Sequence, residues 1–129
     1  MVTYDIRMKK PNQGDYLANG ALHTIEHLFA TYARNSVYGP GVIYVGPMGC
    51  RTGFYLLLSG EYSSRDIIPL MREMFTFIAD FEGEVPGASA KDCGNHLDMN
   101  LPMAKYLAKK YLQDVLTDIT DDRLIYPAD

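Results

Sequence analysis

The run His23-Thr24-Ile25-Glu26-His27 gathers two imidazoles and a carboxylate in one short stretch. On a helix, residues four apart share a face with Cβ atoms about 5–6 Å apart, so His23 and His27 can point both rings at one ion. Glu26, three residues after His23, lies on the adjoining edge of the same helix. The competing reading is two unrelated histidines on the surface of an amphipathic helix. Helical register favours the metal reading: His23 and His27 are offset from Leu22, Ile25 and Phe29, so they border the core instead of sitting in its middle. Two histidines are not a complete site, and the further candidates are Cys50, Cys93, His96, Glu26 and numerous aspartates. Gly49-Cys50 and Cys93-Gly94 are turn-like contexts in which the backbone can approach a ligand closely. One cysteine with two histidines leaves a fourth position open, the pattern of catalytic rather than structural zinc. Residue chemistry alone does not say which cysteine ligates. The other would be a reactive thiol or an inert buried one.

These side chains need elements to hold them. Val2, Tyr4, Ile6 and Met8 alternate with Thr3, Asp5, Arg7 and Lys9, the period of a half-buried strand whose polar face carries Arg7. Pro11–Gly20 reads as a loop. A helix is expected over about Ala21–Asn35, with Leu22, Ile25, Leu28, Phe29 and Tyr32 at three- and four-residue spacing. Gly39-Pro40-Gly41 breaks the chain, Val42–Val45 is a short strand, Gly46–Gly49 a turn, and Gly53–Ser59 a further strand. Ser63 can cap a helix running to about Phe81, but Pro69 predicts either a kink or a later start. Glu82–Asp92 is a loop leading to Cys93-Gly94-Asn95. Asn100 caps a last helix, Pro102 falls in its tolerant first turn, and Ala104, Leu107, Ala108, Tyr111, Leu112 and Val115 form its buried stripe. The turn between the second and third strands is too short for a parallel crossover. The expected fold is α+β, a single domain over residues 1–129 with a mainly antiparallel β-sheet packed against α-helices.

Bulk properties agree. Of 129 residues, 47% are hydrophobic and 22% charged, which excludes a mostly disordered chain. A chain this long can bury roughly two-thirds of its unfolded surface, so no disulfide staple is needed. Twelve Lys+Arg against sixteen Asp+Glu give a net charge of −4 with no basic run, which argues against nucleic acid and anionic membrane as partners. Apolar stretches such as Phe54–Leu58 fall far short of the ~20 residues of a membrane span. The opening M-V-T-Y-D-I-R lacks the pattern of an export signal, so a cytoplasmic location is expected, where cysteines more often bind metal or react than pair.

Five segments together resemble the LuxS family, the S-ribosylhomocysteine lyases. They are Y-D-I-R (Tyr4–Arg7), H-T-I-E-H-L-F-A (His23–Ala30), P-M-G-C-R-T-G-F-Y (Pro47–Tyr55), C-G-N (Cys93–Asn95) and N-L-P-M-A-K-Y-L (Asn100–Leu107), in the family's order and spacing. The resemblance implies a LuxS-like metalloenzyme fold. It also implies that His23, His27 and Cys93 hold one divalent ion per subunit, Fe(II) or Zn(II), that Glu26 is a general base, and that Cys50 is a second, non-ligating acid/base. Arg7 would support substrate binding and the Cys50 thiolate. The implied assembly is a homodimer with active sites at the interface, and the implied role is autoinducer synthesis in quorum sensing.

The reaction so implied opens S-ribosylhomocysteine to its aldehyde and moves the carbonyl from C1 to C2 and then to C3. Each shift removes a proton beside a carbonyl, with Lewis-acid stabilisation of the enediolate by the metal. With the ketone at C3 the C4 proton is acidic, and β-elimination expels homocysteine and leaves 4,5-dihydroxy-2,3-pentanedione. A carboxylate raised toward neutrality by burial, and a thiol lowered by Arg7, would both work near neutral pH.

The sequence departs from the family pattern in places. It starts essentially at the Y-D-I-R strand, where family members carry a further N-terminal segment. Ile43-Tyr44-Val45-Gly46 stands where I-D-I-S is common, which bears on substrate hydroxyl contacts rather than on the metal. His96 follows C-G-N and is expected to be an ordinary surface histidine. Two rival functions remain: a non-enzymatic metal-binding relative with an altered pocket, and a zinc peptidase of the inverted H-x-x-E-H type, which would leave Cys50 unexplained.

Overall fold

A computed structural model describes residues 2–9, 16–86, 99–117 and 119. The alternating N-terminal segment forms β1 (Val2–Arg7), with Tyr4 and Ile6 buried. It ends before Met8 because the N–H groups of Met8 and Lys9 both donate to the Thr52 carbonyl, at 2.8 and 2.9 Å, which turns the chain out of the ladder. Helix α1 runs over Asn19–Asn35 and buries Ala21, Ile25, Leu28, Phe29 and Ala33. It starts two residues earlier than the apolar spacing suggested, inside the expected loop. Gly20 is accepted there because the chain passes so close: a Cβ on it would lie 3.2 Å from Asn100 Cβ. A single 3₁₀ turn over Gly39–Gly41 leads into β2 (Val42–Pro47), and β3 covers Gly53–Leu58.

The sheet order is β1-β3-β2, with both pairings antiparallel. β2 outlasts its expected end: Gly46 pairs with Tyr55 and Pro47 with Phe54, a place proline can take because β2 is an edge strand. Phe54, Leu56 and Leu58 of β3 are buried, while the intervening Tyr55 and Leu57 turn away. Arg7 sits opposite Gly53, and a side chain at 53 would begin 2.1 Å from the Ile6 carbonyl oxygen. Glycine is what lets the two strands meet at that point.

Ser63 caps the turn before the second helix. Its hydroxyl accepts from the Asp66 N–H (3.2 Å) while the Asp66 carboxylate accepts from the Ser63 N–H (2.9 Å). The turn is 3₁₀ over Arg65–Ile67, and α2 proper is Ile68–Asp80, so Pro69 lies in a first turn and no kink arises. Helix α3 (Leu101–Tyr111) is capped as expected, with Asn100 Oδ1 accepting from the Met103 N–H at 3.1 Å, and closes in one π turn over Leu112–Leu116. Within its stripe Ala104, Leu107, Ala108 and Tyr111 are buried; Leu112 and Val115 are only partly so.

Aromatic rings tie the layers together. Phe29 of α1 lies 5.8 Å from Phe54 of the sheet and 6.3 Å from Phe75 of α2, and Phe75 lies 4.9 Å from Tyr111 of α3. The fold is α+β, helices against one face of an antiparallel sheet. Among the described residues no helix is long and apolar enough to cross a membrane.

Candidate functional site

The fully buried side of α1 fixes the rotation of the helix, which leaves His23, Glu26 and His27 at the half-buried border of the core. The Nε2 atoms of His23 and His27 are 3.0 Å apart. His27 Nδ1 lies 2.9 Å from the Pro86 carbonyl. A carbonyl only accepts, so Nδ1 carries the ring hydrogen and Nε2 presents its lone pair toward His23. A carbonyl holding the far ring nitrogen in this way is what orients a metal-binding imidazole. Two nitrogens bound tetrahedrally to one zinc-sized ion would be about 3.4 Å apart, so the pair needs only a few tenths of an ångström to fit. The donor set therefore suits a divalent transition metal, with His23 and His27 as two of its holders. Among the described residues no third His, Cys, Asp or Glu joins them in a cluster. Cys93, the expected third ligand, and His96 lie outside the described residues.

Thr24, the second residue of the histidine motif, carries no chemistry legible in the sequence. It is fully buried, donates to the Gly20 carbonyl at 2.8 Å and accepts from the Asn100 N–H at 2.8 Å. The Asn100 N–H also reaches the Gly20 carbonyl at 3.1 Å. Pro86 on one side and Asn100 on the other, which flank the stretch containing Cys93, are thus both bonded to α1 between Gly20 and His27. The available signal was a hydroxyl on the apolar stripe, four residues before buried Leu28. Nothing in sequence marks a backbone carbonyl such as that of Pro86.

A second cluster forms where β1 meets the β2–β3 turn. Arg7 Nη1 donates to Thr52 Oγ1 at 2.6 Å, Cys50 Sγ lies 3.0 Å from the same oxygen, and Arg7 Nη1 is 3.9 Å from the sulfur. Arg7 also pairs with Asp5 at 3.7 Å. Cys50 is an exposed free thiol. Its pKa is lowered chiefly by the Thr52 hydroxyl, then by the Thr52 backbone N–H, with a smaller share from the Arg7 charge. The structure so brings Arg7 and Cys50 together, as expected, but places buried Thr52 between them.

The backbone around the thiol is held firmly. Arg51 has φ of 61°, a left-handed conformation unusual for a side chain with a Cβ. Its N–H closes the turn onto the Met48 carbonyl (3.0 Å), its carbonyl accepts from the Leu17 N–H (2.8 Å), and its guanidinium donates to Asn19 Oδ1 (3.2 Å). Asn19 is one helical turn, about 6 Å along the axis, before His23. The thiol turn is therefore tied to the first residue of α1, one helical turn before His23.

Tyr44 and Gly46, the two departures in β2, prove to be one feature. A Cβ on Gly46 would fall 2.0 Å from the Tyr44 hydroxyl. The phenol occupies the space that a side chain at 46 would need, so tyrosine at one position goes with glycine at the other.

A lyase of Clostridium beijerinckii named S-ribosylhomocysteine lyase is 58% identical over 128 residues, covering 98% of this chain and 80% of its own length. Those of Clostridium acetobutylicum and Phocaeicola vulgatus, named likewise, are 59% and 58% identical with the same coverage. Residues 1–122 match the family described as S-ribosylhomocysteinase (LuxS). With the family's motif histidines converging on α1, the chain belongs to the LuxS family.

Proposed function

We propose that this chain is an S-ribosylhomocysteine lyase, a carbon–sulfur lyase that releases homocysteine and 4,5-dihydroxy-2,3-pentanedione. The structural observation that carries the reading is the pair of Nε2 atoms 3.0 Å apart, with the His27 tautomer fixed by Pro86. His23, His27 and Cys93 would hold one Fe(II) or Zn(II), which supplies Lewis-acid polarisation of the sugar oxygens. The remaining chemistry is proton traffic. On one side of the sugar Glu26 takes a proton from a carbon beside a carbonyl and returns it to the neighbouring carbon as the carbonyl moves. Cys50 serves the other side: as thiolate it removes a proton from carbon, and as thiol it gives one back. Once the ketone is at C3, loss of the C4 proton drives the electron pair into a C4–C5 double bond and the thioether leaves as homocysteine thiolate; the enol so formed gains a proton at C5 and loses its hydroxyl proton to give the diketone. Arg7 holds substrate and favours the thiolate form of Cys50.

The same reading takes residues 1–129 as one domain in a cytoplasmic homodimer with sites at the interface, its product feeding autoinducer synthesis in quorum sensing. The test is release of free thiol from S-ribosylhomocysteine by metal-replete protein. Cys50→Ala and Glu26→Gln should each lower turnover by about a hundredfold or more while bound metal is retained. No thiol from the wild-type protein sinks the reading; loss of metal in Cys50→Ala overturns the division of labour between the cysteines.

A further inference from the structure

We infer that Thr52 is a positioning residue for Cys50: its hydroxyl passes the Arg7 guanidinium's polarity on to the sulfur and rotates as the sulfur gains or loses its proton. This rests on the reading of Cys50 as a proton carrier. A threonine hydroxyl has two lone pairs and one hydrogen. Arg7 Nη1, which can only donate, fills one lone pair at 2.6 Å. The single hydrogen then has two sulfurs in range, Cys50 Sγ at 3.0 Å and Met48 Sδ at 3.8 Å. Thr52 is buried, so solvent does not compete for it.

Against a Cys50 thiolate the hydrogen points to Sγ, and a donor polarised by a guanidinium makes a stronger, charge-assisted bond. When Sγ takes a proton from a substrate carbon, its new S–H can donate to the free lone pair of Thr52 while the Thr52 hydrogen swings toward Met48. The substrate's proton stays on sulfur until it returns to the neighbouring carbon, and the threonine proton never leaves its oxygen. Both protonation states of Cys50 are thereby satisfied with no backbone movement, as a two-way carrier requires. The charged groups around the sulfur are Arg7, Asp5 paired to it, and Arg51, whose guanidinium turns away to Asn19 and lies 5.8 Å over the Tyr16 ring. Arg7 itself is too far from Sγ, at 3.9 Å, for a strong direct hydrogen bond.

The experiment follows iodoacetamide modification of Cys50, identified by peptide mass, across pH in the metal-loaded protein. Thr52→Val should move the midpoint upward and slow modification at pH 7 by about tenfold, and Thr52→Ser should restore it. Arg7→Met should raise the midpoint in the wild type but add little in Thr52→Val, because the guanidinium acts through the hydroxyl. In turnover, Thr52→Val should lose kcat with KM nearly unchanged. Should valine pack poorly, Thr52→Ala carries the same comparison. An unmoved midpoint, or additive effects of Arg7→Met and Thr52→Val, overturns the inference even if wild-type protein releases thiol. Failure to release thiol with the expected midpoints would sink only the assigned reaction.

Discussion

At the scale of single residues, His27 and Cys50 are each prepared by one neighbour that does no chemistry itself. Pro86 decides which nitrogen of His27 is free, and Thr52 decides how readily Cys50 gives up its proton. The direction of the second effect can be measured on unaltered protein. Because the folded chain lowers the Cys50 pKa, between that value and the ordinary thiol range more of the sulfur is thiolate when folded than when denatured. Modification of Cys50 should therefore be faster in native than in urea-unfolded protein at pH 7. The advantage should shrink and vanish as the pH rises through the ordinary thiol range, where both forms are thiolate. A native rate equal to the unfolded rate at pH 7 would contradict the hydrogen bonding described.

At the scale of elements, α1 is the frame to which the chemistry is bolted. Thr24 joins it to the start of α3, Pro86 meets it at His27, and the β2–β3 turn meets it at Asn19 and, just before the helix, at Leu17. Removing one bolt should loosen more than its own surroundings. Thr24→Val, nearly isosteric, should cost about 1–2 kcal/mol of unfolding free energy and weaken Co(II) binding, with Thr24→Ser restoring both. Unchanged stability and metal affinity would mean that α3 is held by packing alone. Much of this frame was legible in sequence: the period of β1, the stripe of α1, the Asn100 cap and the histidine spacing all reflect local rules that act within a few residues. What escaped was non-local. The early start of α1 depends on Gly20 meeting Asn100, and the place of Thr52 depends on two strands and a turn arriving together. No window of sequence contains both partners of such a contact. Pro69 was informative but ambiguous, because a proline forbids a helix interior and welcomes a first turn with the same chemistry.

At the scale of the whole molecule, stability runs through the ring sequence Phe54, Phe29, Phe75 and Tyr111, which links sheet to all three helices. Phe29 is fully buried and touches both layers, so Phe29→Ala should cost about 3–5 kcal/mol and lower the thermal midpoint by several degrees or more. A loss within experimental error would show that the layers are held elsewhere. The chemistry is set apart from this core, on the rim of α1 and at the end of the sheet. Gly53 is where the two meet. Its side-chain hydrogen acts as a shim of zero thickness: a methyl there would press on the Ile6 carbonyl oxygen and force apart two neighbouring ribbons at the point where Arg7 must reach across. Damage at that position would thus reach the sheet and the setting of the sulfur together, because a single strand contact serves both.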